Sequence, residues 1–195
     1  MARWLQHQCP RMRRATRERI ISKSRGFTLV ELGVVVAIVG VLAVIAVVGY
    51  RKMILNSKLS EAKTMINAIR LAQEDYKAEA GQYYNLSSVG TFCPSDGTGQ
   101  KKWAWENPSC DSNKWSQLPV HADGPVQFGY ATYAGVGAPA QNGIPLPLMD
   151  LSQQGAFKGP WYVVHARADL DPGGNVSQLA SSSFSGHIYT LDEGE

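Results

Sequence analysis

Residues 25–50 read RGFTLVELGVVVAIVGVLAVIAVVGY. From Phe27 to Tyr50 the only charged side chain is Glu31, and Leu32 to Val48 carries nothing strongly polar. As a helix, these 24 residues reach roughly 36 Å, slightly more than a hydrocarbon core of about 30 Å. A helix there satisfies its own backbone hydrogen bonds, which lipid demands. Helices buried in soluble domains are amphipathic, whereas this one is apolar on every side. The stretch is read as membrane-spanning.

The whole chain has 195 residues and a formal charge of +3, but that charge is unevenly spread. Residues 1–26 hold eight Lys/Arg against the single acid Glu18, leaving 11 basic and 15 acidic residues beyond them. A nucleic-acid role inferred from overall basicity would therefore rest on the leader alone, and no nucleic-acid partner is expected. The basic leader faces a smaller cluster, Arg51 and Lys52, across the apolar run. By the positive-inside rule the N-terminus stays cytoplasmic and residues 51–195 are exported. A cleaved secretory signal fits less well. Its apolar region is shorter, and Val48-Gly49-Tyr50-Arg51-Lys52 makes a poor small-residue cleavage site.

Glu31 needs a reason. A carboxylate in mid-membrane costs on the order of 2.5–3.5 kcal/mol, less near an interface. No lysine or arginine follows it within one helical turn. Cutting after Gly26 would create a partner, the new α-amine of Phe27, four residues away at the head of the same helix. That amine opposes the helix dipole and itself benefits from a nearby acid. Between stacked copies, such a pair would fix the axial register.

These residues resemble the class III signal of type IV pilins and the related pseudopilins: Gly26, then Phe27-Thr28-Leu29-Val30-Glu31-Leu32, then the long apolar helix. In that family a membrane-embedded prepilin peptidase cuts after the glycine and N-methylates the new first residue. The resemblance implies cleavage between Gly26 and Phe27, N-methylation of Phe27, and an assembly role for Glu31. The chain departs in lacking a proline near the end of the apolar run, where Val48 and Gly49 stand. Gly40 and Gly49 weaken a helix less decisively. Gly33, Ala37 and Gly40 share one side and would allow close helix approach, or simply reflect the frequency of small residues in membrane helices.

After Tyr50 the apolar positions Leu55, Leu59, Ala62, Ile66, Ile69, Ala72 and Tyr76 recur at helical spacing, predicting one continuous helix that ends near Gly81. Three strands are predicted: Val126 to Ala134, Trp161 to Leu170 and Phe184 to Leu191. In the second, Tyr162, Val164, Ala166, Ala168 and Leu170 form the face expected toward the helix. Pro172-Gly173-Gly174 is read as the turn making the second and third strands antiparallel neighbours. The expected organisation is an α+β, pilin-like fold, with a leader at 1–26, a helix at 27–80 and an exported domain at 81–195. Between helix and sheet, Ser87 to Pro125 forms a long loop carrying Trp103, Trp105 and Trp115. Once Cys9 leaves with the leader, Cys93 and Cys110 are the remaining cysteines. In an oxidising compartment a disulfide between them is preferred over a metal site, for which no four-ligand set is nearby.

Other motifs weigh less. Asp96 to Lys102 mimics a phosphate loop without its spacing and is read as a solvated turn. Asp169 to Asn175 opens like a calcium loop but has Ala180 at the twelfth position, so a hairpin turn is preferred, with calcium as the lesser alternative, and no cofactor is assigned. His121, His165 and His187 lack catalytic or metal-ligating spacing. The tryptophans beside Lys101, Lys102 and Lys114 are read as loop packing, with stacking on sugars or single strands as the alternative.

The function expected is a non-enzymatic subunit, major or minor, of a type IV pilus serving adhesion or twitching motility. It is expected in the bacterial inner membrane before assembly and in the pilus afterwards. Implied partners are the prepilin peptidase, other pilin subunits and the inner-membrane assembly platform. The alternatives are a pseudopilin of a type II secretion system and, from a different class, a membrane-tethered enzyme or binding protein with an intact leader.

Overall fold

The computed structural model describes residues 26–88, 90–105, 115–139, 141, 144, 148–152, 157–170 and 175–192. Helix α1 runs from Leu29 to Ala80, 52 residues without interruption, and the chain divides into two compact units after Val44. In the first unit, every described side chain is exposed, including Leu32, Val35, Ile38, Val41 and Leu42. An apolar surface of that extent is unstable in water and requires a lipid or helical neighbour.

The second half of α1 is amphipathic as its spacing predicts. Leu59, Ala62, Ile66, Ile69 and Ala72 are buried, and Leu55 and Tyr76 pack partly buried against the same cluster. The helix stops where Gly81 adopts φ +76°, with its N–H donating to the Lys77 carbonyl at 2.8 Å. Only glycine takes that conformation without a steric penalty, so its position sets the end.

Four strands follow: β1 (Gly129–Val136), β2 (Pro160–Asp169), β3 (Val176–Ser182) and β4 (Ser185–Leu191). They form one antiparallel sheet in the order β1-β2-β3-β4. This corrects the three-strand expectation. The strands predicted at 161–170 and 184–191 are not neighbours, because β3 lies between them. Its sequence VSQLASS has one β-branched residue and no aromatic, so it gives a weak strand signal. It forms because Ser177, Leu179, Ala180, Ser181 and Ser182 are buried between β2 and β4, where small side chains fit. The first strand also starts later than expected. Val126 makes only an isolated bridge to Trp103. The proposed turn at 172–174 lies outside the described residues.

Both sheet faces are covered. Tyr162, Val164, Ala166, Ala168 and Leu170 join the helix in one cluster with Phe128 and Tyr130, as the alternation predicts. The opposite face packs Trp161, Val163, Tyr133 and Ala180 against Ile144, Leu148, Met149 and Leu151. At β1's outer side, Cys93 and Tyr130 exchange backbone hydrogen bonds of 2.9 and 2.7 Å.

Candidate functional site

Gly26 and Phe27 precede α1, and the Phe27 side chain is 88% exposed. Thr28 and Glu31 then lock the helix start reciprocally. The Thr28 N–H and hydroxyl both donate to Glu31 Oε2, at 2.8 and 2.9 Å. The Glu31 N–H in turn points at Thr28 Oγ1, 3.2 Å away. This is a capping box, which satisfies two backbone donors that a helix start otherwise leaves open. The sequence reading singled out Glu31 but not Thr28, although a threonine three residues before a glutamate ahead of an apolar run is the signal for this motif. The contacts use Oε2 alone. Among the described residues Oε1 accepts no hydrogen bond. The carboxylate thus sits at the head of an exposed apolar helix with one oxygen open to an incoming donor. At Gly33 and Gly40 an added side-chain carbon would meet nothing within 4 Å, so that side of the helix is also unoccupied.

In the second unit, Cys93 is disulfide-bonded, while Cys110 and Cys9 lie outside the described residues. The segment around Cys93 is held on the sheet edge by side chains. Phe92 packs between the His165 ring, centroids 5.1 Å apart, and the Arg167 guanidinium, 4.1 Å from its ring centre. Arg167 Nε donates to the Asp96 carbonyl. The Gly97 carbonyl accepts the Asp169 N–H at 2.8 Å. At Gly97, φ is +71° and any side chain would strike the Arg167 backbone. The phosphate-loop mimic is therefore a structural turn. Thr98 donates twice to Asp96 Oδ1, at 3.1 and 2.7 Å, and these bonds hold the Asp96 carboxyl below its usual range.

The three histidines take separate environments. His165 is 2% exposed, with Nε2 3.0 Å from Gln178 Oε1, whereas His121 and His187 are exposed. Burial lowers the His165 pKa to about 4, against the Gln178 hydrogen bond that raises it. No group of three or more His, Cys, Asp or Glu side chains converges among the described residues. The loop at Asp169 to Asn175 is described only in part. The tryptophans divide as well. Trp115 is buried and meets Trp105 edge-on at 5.1 Å, while Trp103 is 37% exposed with the Lys101 ammonium 5.2 Å from its ring centre. Lys102 pairs with Glu61 at 3.2 Å.

The family described as the prokaryotic N-terminal methylation motif matches residues 21–47. The chain is 38% identical over 104 residues to the type IV major pilin protein PilA of Myxococcus xanthus, covering 52% of this chain and 47% of that protein. It is 35% identical over 71 residues to the type IV major pilin protein PilE1 of Neisseria gonorrhoeae, covering 36% and 43%. A probable minor fimbrial protein of Dichelobacter nodosus is 43% identical over 54 residues, covering 28% and 34%. The chain thus spans less than half the length of these relatives. No solved structure matches it significantly.

Proposed function

We propose that this type IV pilin-like chain is a structural subunit of a pilus, held in the membrane by α1 and drawn from it into a fibre. The similar proteins carry the names of pilins and fimbrial proteins, not of enzymes or secretion components. The observation that carries the reading is the helix start. Within the matched motif, a carboxylate with one open oxygen heads α1, and the apolar side chains that follow it in the first unit are all exposed. Such a helix needs lipid at one stage and can take like helices at the next.

In this reading a prepilin peptidase cuts between Gly26 and Phe27 and methylates Phe27. The new amine, its own or a neighbouring copy's, then meets Glu31 Oε1 while Thr28 still holds Oε2. Axial register follows from that pair, because a misregistered copy leaves a carboxylate unpaired in an apolar medium. Residues 51–195 face outward, where Cys93 pairs with Cys110. An assembly platform in the inner membrane, adhesion and twitching motility belong to the same proposal, and no cofactor is required for it.

Mass spectrometry of the chain from cells tests it. The expected mass lacks residues 1–26 and gains one methyl group; an intact leader overturns the reading. Glu31→Ala is expected to be processed normally yet to be depleted at least about tenfold from sheared surface fibres. Normal incorporation of that variant removes the role assigned to Glu31.

A further inference from the structure

A pocket of about 290 Å³ opens beside the edge of the exported unit, lined by Trp105, His121, Asp123 and Pro125 with Ala104 and Ala122. Its walls are fixed by features already described. Trp103 and Val126 exchange backbone hydrogen bonds of 2.8 and 2.9 Å, which sets the segment running into Trp105 against the one leaving Pro125. Trp115 and Tyr130 pack against the Trp105 indole, with centroids 5.1 and 5.9 Å away. The polar groups at the rim are unspent. Among the described residues, neither His121 nor Asp123 makes a side-chain hydrogen bond or ion pair. His121 and Asp123 are exposed, and Trp105 is half-buried.

We propose that this pocket takes one neutral pyranose ring of a saccharide, its apolar face on Trp105 and two of its hydroxyls on Asp123. The volume lies at the small end of ligand pockets and suits one ring rather than an extended ligand. An indole offers a flat apolar surface with an electron-rich face, against which the C–H face of a sugar packs. A carboxylate accepts two adjacent hydroxyls through charge-assisted bonds, and an imidazole can give or take a third. The same carboxylate repels a phosphate or an acidic sugar. The nearby cations do not reverse this, since Lys102 is paired with Glu61 and Lys101 lies over Trp103. The pocket lies within the Ile45–Glu195 unit, so its test needs no filament and can fail while the pilus reading stands.

Full-length chain in dodecylphosphocholine micelles, a detergent without sugar, is titrated with the methyl pyranosides of glucose, galactose, mannose and N-acetylglucosamine. Saturation-transfer NMR and tryptophan fluorescence report binding. At least one of these sugars is expected to bind saturably with a Kd of about 1–10 mM, the range open to so small a ligand. Asp123→Ala is expected to weaken that binding about tenfold or more at an unchanged circular dichroism spectrum, and Asp123→Asn by less. Three results overturn the proposal: no saturable binding of any of the four sugars up to about 50 mM, binding unaltered in Asp123→Ala, or tighter binding of an oligothymidylate than of every sugar.

Discussion

Thr28 and Glu31 each donate to and accept from the other, so one residue's chemistry cannot be understood without its partner. Thr28 lowers the cost of placing a carboxylate at the head of an apolar helix before any amine is available to it. His165 is the second residue whose setting decides its behaviour. Contact with Gln178 Oε1 requires Nε2 to carry the proton, and Nδ1 is buried without a hydrogen-bond partner among the described residues. The folded imidazole resists protonation down to about 4, against 6.5 when unfolded. Between those values the unfolded chain binds more protons, so stability rises with pH. It is complete above about 6.5 and declines as pH falls toward 4, by on the order of 3 kcal/mol in all. Denaturant unfolding at pH 7 and 4.5 measures this. His165→Gln is expected to flatten the dependence, and an equal slope in the variant would show that other groups set it.

At the scale of elements, Gln73 joins what the core alone leaves loose. It is fully buried in the second half of α1, donating to the Tyr84 carbonyl at 2.9 Å and to Thr132 Oγ1 at 3.0 Å, and accepting the Tyr84 N–H at 2.9 Å. One amide therefore ties helix, the turn after it and β1. Gln73→Ala is expected to cost about 2–4 kcal/mol, because the Tyr84 N–H loses its partner as a cavity opens. Thermal unfolding of the detergent-solubilised chain checks this, and a change below about 1 kcal/mol would mean that water replaces the amide. The helix was legible in the sequence because a period near 3.6 and a terminal glycine are local signals. The glutamine was not, since a polar residue within an apolar stripe gives no sign of which distant groups it meets. Strand β3 was missed for a related reason. Its serines follow no apolar alternation and become strand through pairing with β2 and β4.

At the scale of the molecule, the loop between helix and sheet is held by contacts of unlike kinds: the Cys93 bridge to Tyr130, the Phe92 stack and the Gly97 turn. The disulfide at Cys93 adds to them by limiting the unfolded chain. Non-reducing peptide mapping is expected to recover Cys93 linked to Cys110. Cys93→Ser is expected to lower the stability of the Ile45–Glu195 unit by about 3 kcal/mol in denaturant titrations; linkage to a different cysteine would refute that pairing. The contacts outside the disulfide were invisible in advance, because Phe92, His165 and Arg167 meet only once the sheet has formed. The sequence by itself determined the apolar span, the acid at its head, the end of α1 and the helix-facing side of β2. Each follows from the spacing of neighbours along the chain, where hydrophobicity and backbone sterics act locally. Tertiary structure alone decided the place of β3, the covering of the second sheet face, the seclusion of His165 and the aromatic pocket at Trp105. Those depend on which distant residues exclude water from one another, and that is settled only when the chain closes on itself.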